Sequence, residues 1–210
     1  ILRSKTSQAA KQAAGQARRE IMRLKRQKQN SDSDSDSEEI DAAIAHAQAM
    51  ERVAKKKAKH LEEEEMMKAA GTPCLISQYR YSMFDRAVEA ESLALAAQYG
   101  SGFIAFSPLA QGLLTDKYLH GIPENSRAAR ATGFLKADQV TADKVRKAAR
   151  LNEIAVRRGQ TLAEMALAWV LRDERMTSVI VGASSVKQLN DNLHALENLA
   201  FLNDELAEIE

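Results

Sequence analysis

The sequence has 210 residues, of which 45% are hydrophobic and 28% charged, and its 30 basic side chains nearly balance its 29 acidic ones. This is the composition of a near-neutral soluble protein with one domain or two small ones. No apolar run approaches the roughly 20 residues that a membrane-spanning helix needs. Residues 1–28 contain no apolar signal core. We therefore expect neither membrane insertion nor secretion.

Cysteine and histidine usage points to a reducing compartment. The single cysteine, Cys74, cannot form an internal disulfide. Neither this cysteine nor the four histidines show the spacing of metal ligands. We expect a cytoplasmic location and no metal site.

The chain changes character near residue 70. All ten aromatic residues lie at or beyond Tyr79, all three prolines lie beyond residue 70, and eight of the nine glycines lie from Gly71 onward. We therefore predict two unlike segments, residues 1–70 and residues 71–210.

The first segment carries two apolar stripes with helical spacing. The first stripe consists of Ala10, Ala14, Ala17, Ile21 and Leu24, and the second of Ile40, Ala43, Ala47, Met50, Ala54 and Leu61. Between them, residues 31–41 hold alternating Ser and Asp followed by further acids, with little to bury. The pattern predicts an α-helical hairpin or coiled-coil segment joined by a flexible acidic linker over residues 31–41.

The first predicted helix is strongly basic. Residues 1–30 carry nine Lys or Arg and one acid, so that 9 − 1 gives a net charge of +8. Such a helix either contacts nucleic acid or an acidic surface, or presents a solvated face. Because the segment has no aromatic residue to stack on bases, the second interpretation is favoured and nucleic acid is not the expected partner. A protein partner for residues 1–70 remains open.

The second segment alternates short apolar runs with helical patterns. The apolar runs are residues 73–77, 102–106 and 178–181, and the helical patterns are residues 87–98, 144–158, 162–172 and 186–199. The last of these patterns places Leu189, Leu193, Leu196 and Leu199 on one side, which we expect to be buried. Continuously apolar short runs are typical of parallel strands that are covered on both faces. The order predicts an α/β fold, in which ligands bind beyond the carboxyl ends of the strands.

Three loops of this segment have the chemistry of a nucleotide site. Residues 106–117 offer an aromatic ring, a turn, a hydroxyl and a lysine, and residues 182–188 lead into a helix start that would face anionic oxygens. Residues 123–127 add an arginine. Each loop alone is explained by turn formation or helix capping, whereas the three together favour nucleotide binding.

These motifs resemble the C-terminal half of the aldo-keto reductases, and within them the branch of the L-glyceraldehyde 3-phosphate reductases and potassium-channel β-subunits. The resemblance covers residues 71–210. It rests on residues 71–78, 81–84, 104–118, 121–123, 126–127, 165–173 and 178–184, with Gln188 and Asn192. It implies an α/β fold that is a partial (β/α)8 TIM barrel, namely strands six to eight with their helices.

The resemblance also implies an NADP(H) site. Gln78 matches the residue that holds the nicotinamide carboxamide, and Phe106 matches the aromatic that stacks on the nicotinamide ring. The pyrophosphate loop and the residues that reach over the cofactor would be Ser107, Pro108, Leu109, Ala110, Gln111, Lys117, Ser126 and Arg127. The adenosine side would be Gly182, Ser184, Gln188, Asp191 and Asn192, with Asp191 standing where relatives often have Glu. NADPH is expected over NADH from the resemblance and from the cations Lys117, Arg127 and Lys187.

No catalytic residue is assigned in this chain. The family's catalytic Tyr, Lys, Asp and His lie on the first four barrel strands, but residues 1–70 contain no Tyr and no strand pattern. The resemblance thus implies carbonyl or aldehyde reduction of a small substrate only in a completed barrel, and inactivity alone. We interpret the chain as a truncated or fused reductase, or as a reductase whose N-terminal half is missing from this sequence. The alternative is a non-catalytic scaffold whose N-terminal helices bind a partner. Open strand edges also favour homo-oligomers.

Overall fold

A computed structural model of the chain describes residues 5–29, 34–130 and 134–210. The chain divides into two compact units, residues 1–74 and residues 75–210. We call them the helical unit and the sheet unit, and each is described by itself.

The described part of the helical unit contains two helices, α1 (Lys5–Gln29) and α2 (Asp34–Ala69). Lys11, early in α1, forms an ion pair with Glu62, late in α2, and the Lys28 ammonium lies 2.5 Å from the Asp41 carboxylate. The helices therefore run antiparallel. The buried seam contains most of the two predicted stripes, including Ala10, Ala14, Ile21, Ile40, Ala47 and Leu61, whereas Met50 is exposed.

The predicted acidic linker over residues 31–41 is wrong for residues 34–41, which form the first turns of α2. Residues 30–33 lie outside the described residues. Carboxylates in the first turn of a helix are stabilised by the positive end of the helix dipole. Ile40 is buried against α1, and Asp41 pairs with Lys28. Packing and charge therefore make this segment helical.

The sheet unit is built on three parallel strands, β1 (Ile76–Arg80), β2 (Gly102–Phe106) and β3 (Ser178–Ile180), in the order β1-β2-β3. This confirms a small parallel sheet within an α-rich chain. It is consistent with part of a (β/α)8 barrel, although the barrel itself remains a prediction. Strand β1 begins three residues later than the apolar run at residues 73–77 and continues through Gln78 to Arg80.

Among the described residues, five α-helices accompany the sheet: α3 (Ser92–Tyr99), α4 (Ala142–Arg157), α5 (Leu162–Leu171), α6 (Val186–His194) and α7 (Asn203–Ile209). N-terminal capping explains where three of these helices begin, namely α4, α5 and α6. The Thr141, Thr161 and Ser185 hydroxyls accept the backbone N–H three residues ahead, and Glu164 returns a bond to the Thr161 N–H. Helix α7 was not predicted.

One face of the sheet is covered and forms the main core. Phe103 and Ala105 of β2 pack with Leu93 of α3 and with Trp169 and Val170 of α5. A second core joins α4 to α5 through the buried residues Leu151, Ile154, Leu162 and Met165. On the opposite face, residues 76, 78, 80, 104, 106, 178 and 180 are exposed or half-buried. The sequence predicted strands that are covered on both faces, whereas the structure shows a sheet with one uncovered face.

The expectation of a buried leucine face over residues 186–199 is wrong for its first three leucines. Leu189, Leu193 and Leu196 are 46%, 53% and 56% exposed. Leucine spacing identifies an apolar face, but its burial requires a neighbouring element to cover it. None of the helices in the described part of the chain contains an apolar stretch of membrane-spanning length.

Candidate functional site

The carboxyl ends of the three strands meet at one edge of the sheet. Arg80 is paired in register with Phe106, and Phe106 with Ile180. All three side chains belong to the uncovered face, since their neighbours in sequence contribute to the covered one. Gln78 lies on the same face, two residues before Arg80, and is exposed. The half-buried ring of Phe106 is thus presented beside an exposed amide and an exposed guanidinium.

The loop that follows β2 is strained. Ser107, Ala110 and Gln111 have φ values of 56°, 47° and 64°, in the left-handed region that non-glycine residues rarely adopt. Each such residue costs about 1 kcal/mol or more. The Ala110 N–H donates to the Ser107 carbonyl at 2.9 Å, and Leu109 packs on the α4–α5 core. Strain that the surrounding packing maintains is typical of functional loops.

A third group of predicted residues follows this loop. Lys117 is exposed, and its neighbour Tyr118 packs with Leu113, Ala128 and Leu135. Because Ala128 directly follows Ser126 and Arg127, this cluster holds the backbone that carries Lys117 against the backbone that carries Arg127. Arg127 is exposed. No hydrogen bond or ion pair among the described residues links Lys117, Ser126 or Arg127 to Gln78 or Phe106.

Beyond β3, the loop closes on the start of α6. The backbone N–H and hydroxyl of Ser184 donate to the Gln188 Oε1 at 2.8 and 2.9 Å. The Lys187 ammonium lies 2.7 Å from the Asp191 carboxylate, which raises the pKa of Lys187. Gly182 is exposed and Asn192 half-buried. Gln188 is thereby oriented by Ser184, and Asp191 neutralises part of the nearby positive charge.

Sequence reasoning missed Arg80. Its guanidinium carbon lies 5.7 Å from the centroid of the Phe106 ring, within the range of a cation–π contact. The available signal was the alternation of Gln78 and Arg80, which places both on one face of a strand. Ending the predicted strand at Ser77 concealed that alternation.

Three of the four tyrosines have packing roles. The Tyr81 hydroxyl donates to the Glu89 Oε1 at 2.7 Å, and burial together with this bond raises the pKa of Tyr81 above its usual value. The Tyr79 ring stacks on Phe103 at 5.3 Å, and Tyr118 is buried. Within the described residues, no group of three or more His, Cys, Asp or Glu side chains is placed to hold a metal ion.

Comparison with known proteins gives consistent results. The sequence profile of the aldo/keto reductase family matches residues 53–210, beginning inside α2 and earlier than the boundary at Gly71. The chain is 48% identical over 142 residues to the L-glyceraldehyde 3-phosphate reductase of Escherichia coli O157:H7, covering 66% of this chain and 41% of that protein. It is 44% identical over 150 residues to the protein of the same name from Escherichia coli strain K12, covering 70% of this chain and 43% of that protein.

A plant protein is also similar. The chain is 37% identical over 137 residues to a probable voltage-gated potassium channel subunit beta of Oryza sativa subsp. japonica, covering 64% of this chain and 42% of that protein. The chain therefore spans about two fifths of the length of the curated relatives it matches. The family profile covers well over half of this chain, which confirms the predicted resemblance: the chain belongs to the aldo/keto reductase family.

Proposed function

We propose that the sheet unit binds NADP(H) at the carboxyl edge of its sheet, as the cofactor-binding part of a reductase for small aldehydes. The observation that carries this proposal is the half-buried Phe106 ring at the end of the central strand. Gln78 lies on the same face, and the strained loop of residues 107–111 follows directly. An aromatic plane, an amide and an irregular backbone at strand ends are suited to a flat, phosphate-bearing ligand.

A buried hydroxyl supports the fit of these residues to the cofactor. Ser126 is fully buried, yet its Oγ has no hydrogen-bond partner among the described residues. An unsatisfied buried hydroxyl costs about 1–3 kcal/mol, so native structures usually supply a partner. Ala128, two residues after Ser126, packs with Tyr118, which directly follows Lys117. A phosphate or ribose oxygen of the cofactor is the partner that we propose.

The proposed roles of the other residues follow from their chemistry. Gln78 would hold the carboxamide, Phe106 would stack on the nicotinamide, and the exposed cations Lys117 and Arg127 would bind phosphate oxygens. Ser184 orients Gln188 for the adenosine side. Bound NADPH supplies a hydride to a carbonyl carbon, and a general acid must protonate the oxygen.

The substrate class comes from the relatives. Two of them are named for the reduction of L-glyceraldehyde 3-phosphate, and we propose a small aldehyde of that kind. The tyrosines Tyr79, Tyr81 and Tyr118 are engaged in packing. We therefore propose that this chain alone binds the cofactor without turnover, so that absorbance at the nicotinamide band stays constant when glyceraldehyde is added.

Replacing Phe106 with Ala should weaken NADPH binding about tenfold, because stacking of a flat ring on an aromatic side chain contributes about 1–3 kcal/mol. The dissociation constant is measured by titrating the full chain into NADPH and following nicotinamide fluorescence. Circular dichroism checks that the variant remains folded.

The matched control is Phe134→Ala, since Phe134 is 91% exposed and lies outside the proposed site. This variant should bind NADPH as tightly as the parent chain. Equal dissociation constants for the parent and for Phe106→Ala, or no fluorescence change with the parent at millimolar cofactor, would contradict the proposal.

A further inference from the structure

We infer that Arg80 is the residue that selects substrates bearing a phosphate group, by pairing with that phosphate beside the nicotinamide position. This inference rests on the proposed function, because it uses Phe106 as the nicotinamide platform. It concerns a residue that lies beside the predicted cofactor residues without being one of them.

The position of Arg80 is unusual for a parallel strand. Its row at the carboxyl edge consists of Arg80, Phe106 and Ile180, paired in register across the sheet. Parallel strands normally carry apolar side chains on both faces. Arg80 is exposed and packs on the Phe106 ring at 5.7 Å from the centroid. A charged group here does not contribute to the core, which lies on the opposite face of the sheet.

The charge of Arg80 is also uncompensated. Several other arginines of the sheet unit have carboxylate partners, for example Arg86 with Glu89 and Glu210, Arg158 with Glu205, and Arg175 with Asp173. Within the described part of the chain, the Arg80 side chain forms no ion pair or hydrogen bond. Its one specific contact is the Phe106 ring. The guanidinium fork is therefore available to bind an anion in bidentate geometry.

The chemistry of the site indicates which anion this is. The nicotinamide ring is neutral when reduced and cationic when oxidised, so it does not attract a guanidinium. The proposed cofactor phosphates would lie along residues 107–111 and toward Lys117 and Arg127, not beside the ring. An anion next to Phe106 must then belong to the molecule that receives the hydride. A phosphate ester carries about −1.5 to −2 charges at neutral pH and matches the guanidinium fork.

The test is a ³¹P NMR titration of glyceraldehyde 3-phosphate with the full chain in the presence of NADP⁺. Arg80→Met keeps the length of the apolar stem and removes the charge, and it should weaken binding about tenfold. Arg80→Lys keeps the positive charge but lacks the two-pronged guanidinium geometry. Its affinity for glyceraldehyde 3-phosphate should lie between those of the parent chain and Arg80→Met. The matched control, Arg150→Met, alters an exposed arginine of α4 and should bind like the parent chain.

Two further measurements separate the sources of the anion. Unphosphorylated glyceraldehyde, followed by saturation-transfer NMR, should bind the parent and Arg80→Met equally. NADPH affinity, measured by fluorescence, should also be unchanged in Arg80→Met. If Arg80→Met weakens NADPH binding instead, the guanidinium serves the cofactor and the inference is wrong while the proposed function stands.

Other outcomes would overturn the inference as well. These are an unchanged affinity of Arg80→Met for glyceraldehyde 3-phosphate, an equal loss in Arg150→Met, or a parent chain that binds NADPH but not glyceraldehyde 3-phosphate. A parent chain that binds neither molecule contradicts both the inference and the proposed function.

Discussion

Replacing Trp169 with Ala should lower the free energy of unfolding of the sheet unit by about 3–5 kcal/mol. Trp169 is fully buried at the centre of the covered face, with its ring centroid 5.3 Å from that of Tyr81. The guanidinium carbons of Arg172 and Arg86 lie 3.9 and 5.2 Å from the indole. Truncation to Ala removes this packing and both cation–π contacts, and leaves a large cavity. Urea denaturation, monitored by circular dichroism, measures this decrease in the free energy of unfolding.

The control is Trp169→Phe, which keeps an aromatic ring beside the two guanidiniums. The indole Nε1 has no hydrogen-bond partner among the described residues, so its loss leaves no acceptor unsatisfied there. We expect this variant to lose only about 1–2 kcal/mol. Equal losses in the two variants would mean that the aromatic packing described here does not stabilise the sheet unit.

Replacing Arg158 with Leu should lower the free energy of unfolding of the sheet unit by about 3 kcal/mol. The Arg158 guanidinium binds the segment after α6 to the end of α4. Its side chain is 3% exposed and lies 2.5 Å from the Glu205 carboxylate. It also donates to the Ala200 carbonyl at 2.9 Å and stacks on Phe201 at 3.6 Å from the centroid. The substitution removes the buried guanidinium from these acceptors and releases α7.

The adjacent residue provides the matched control. Arg157 also forms an ion pair across to α7, with Glu208, but both side chains are about half exposed. Exposed ion pairs contribute about 0–1 kcal/mol, so Arg157→Leu should be nearly neutral in the same urea denaturation assay. If Arg157→Leu and Arg158→Leu lowered the free energy of unfolding by comparable amounts, burial of the Arg158 side chain would not be the cause of its larger contribution.

Much of the sheet unit could be predicted because its signals are local. Strand β2 is a short apolar run between Gly102 and the turn at Ser107, and its bounds match the prediction. Helix α5 begins where Thr161 and Glu164 form a reciprocal cap, a signal that lies entirely within four residues. Such elements are specified by the residues that form them.

Features that depend on distant partners could not be predicted in this way. Residues 34–41 are acidic and look solvated, but Ile40 packs on α1 and Asp41 pairs with Lys28. The leucines of α6 have the spacing of an apolar helix face, but whether that face is buried depends on a neighbouring element that covers it. Both errors arise because tertiary context determines whether an element forms and whether its apolar face is covered.

The site residues also fall into those that could be predicted from the sequence and those that depend on distant partners. Gln78 and Phe106 were assigned from the resemblance, and the structure brings both to one face at the carboxyl edge of the sheet. The alternation of Gln78 and Arg80 could place both on one face of a strand, but the contact of Arg80 with Phe106 depends on the register of β1 against β2, which no local pattern supplies. The cofactor roles of all these residues remain predictions.

The most direct test of NADP(H) binding at the carboxyl edge is the change in amide chemical shifts of the full chain on addition of NADPH. We predict that the largest shifts occur at Gln78, Phe106, Ser107, Ser126 and Ser184, and that amides on the exposed side of α4 and in α1 and α2 are unaffected. Absence of any shift at saturating NADPH, or shifts centred in the helical unit, would contradict the account.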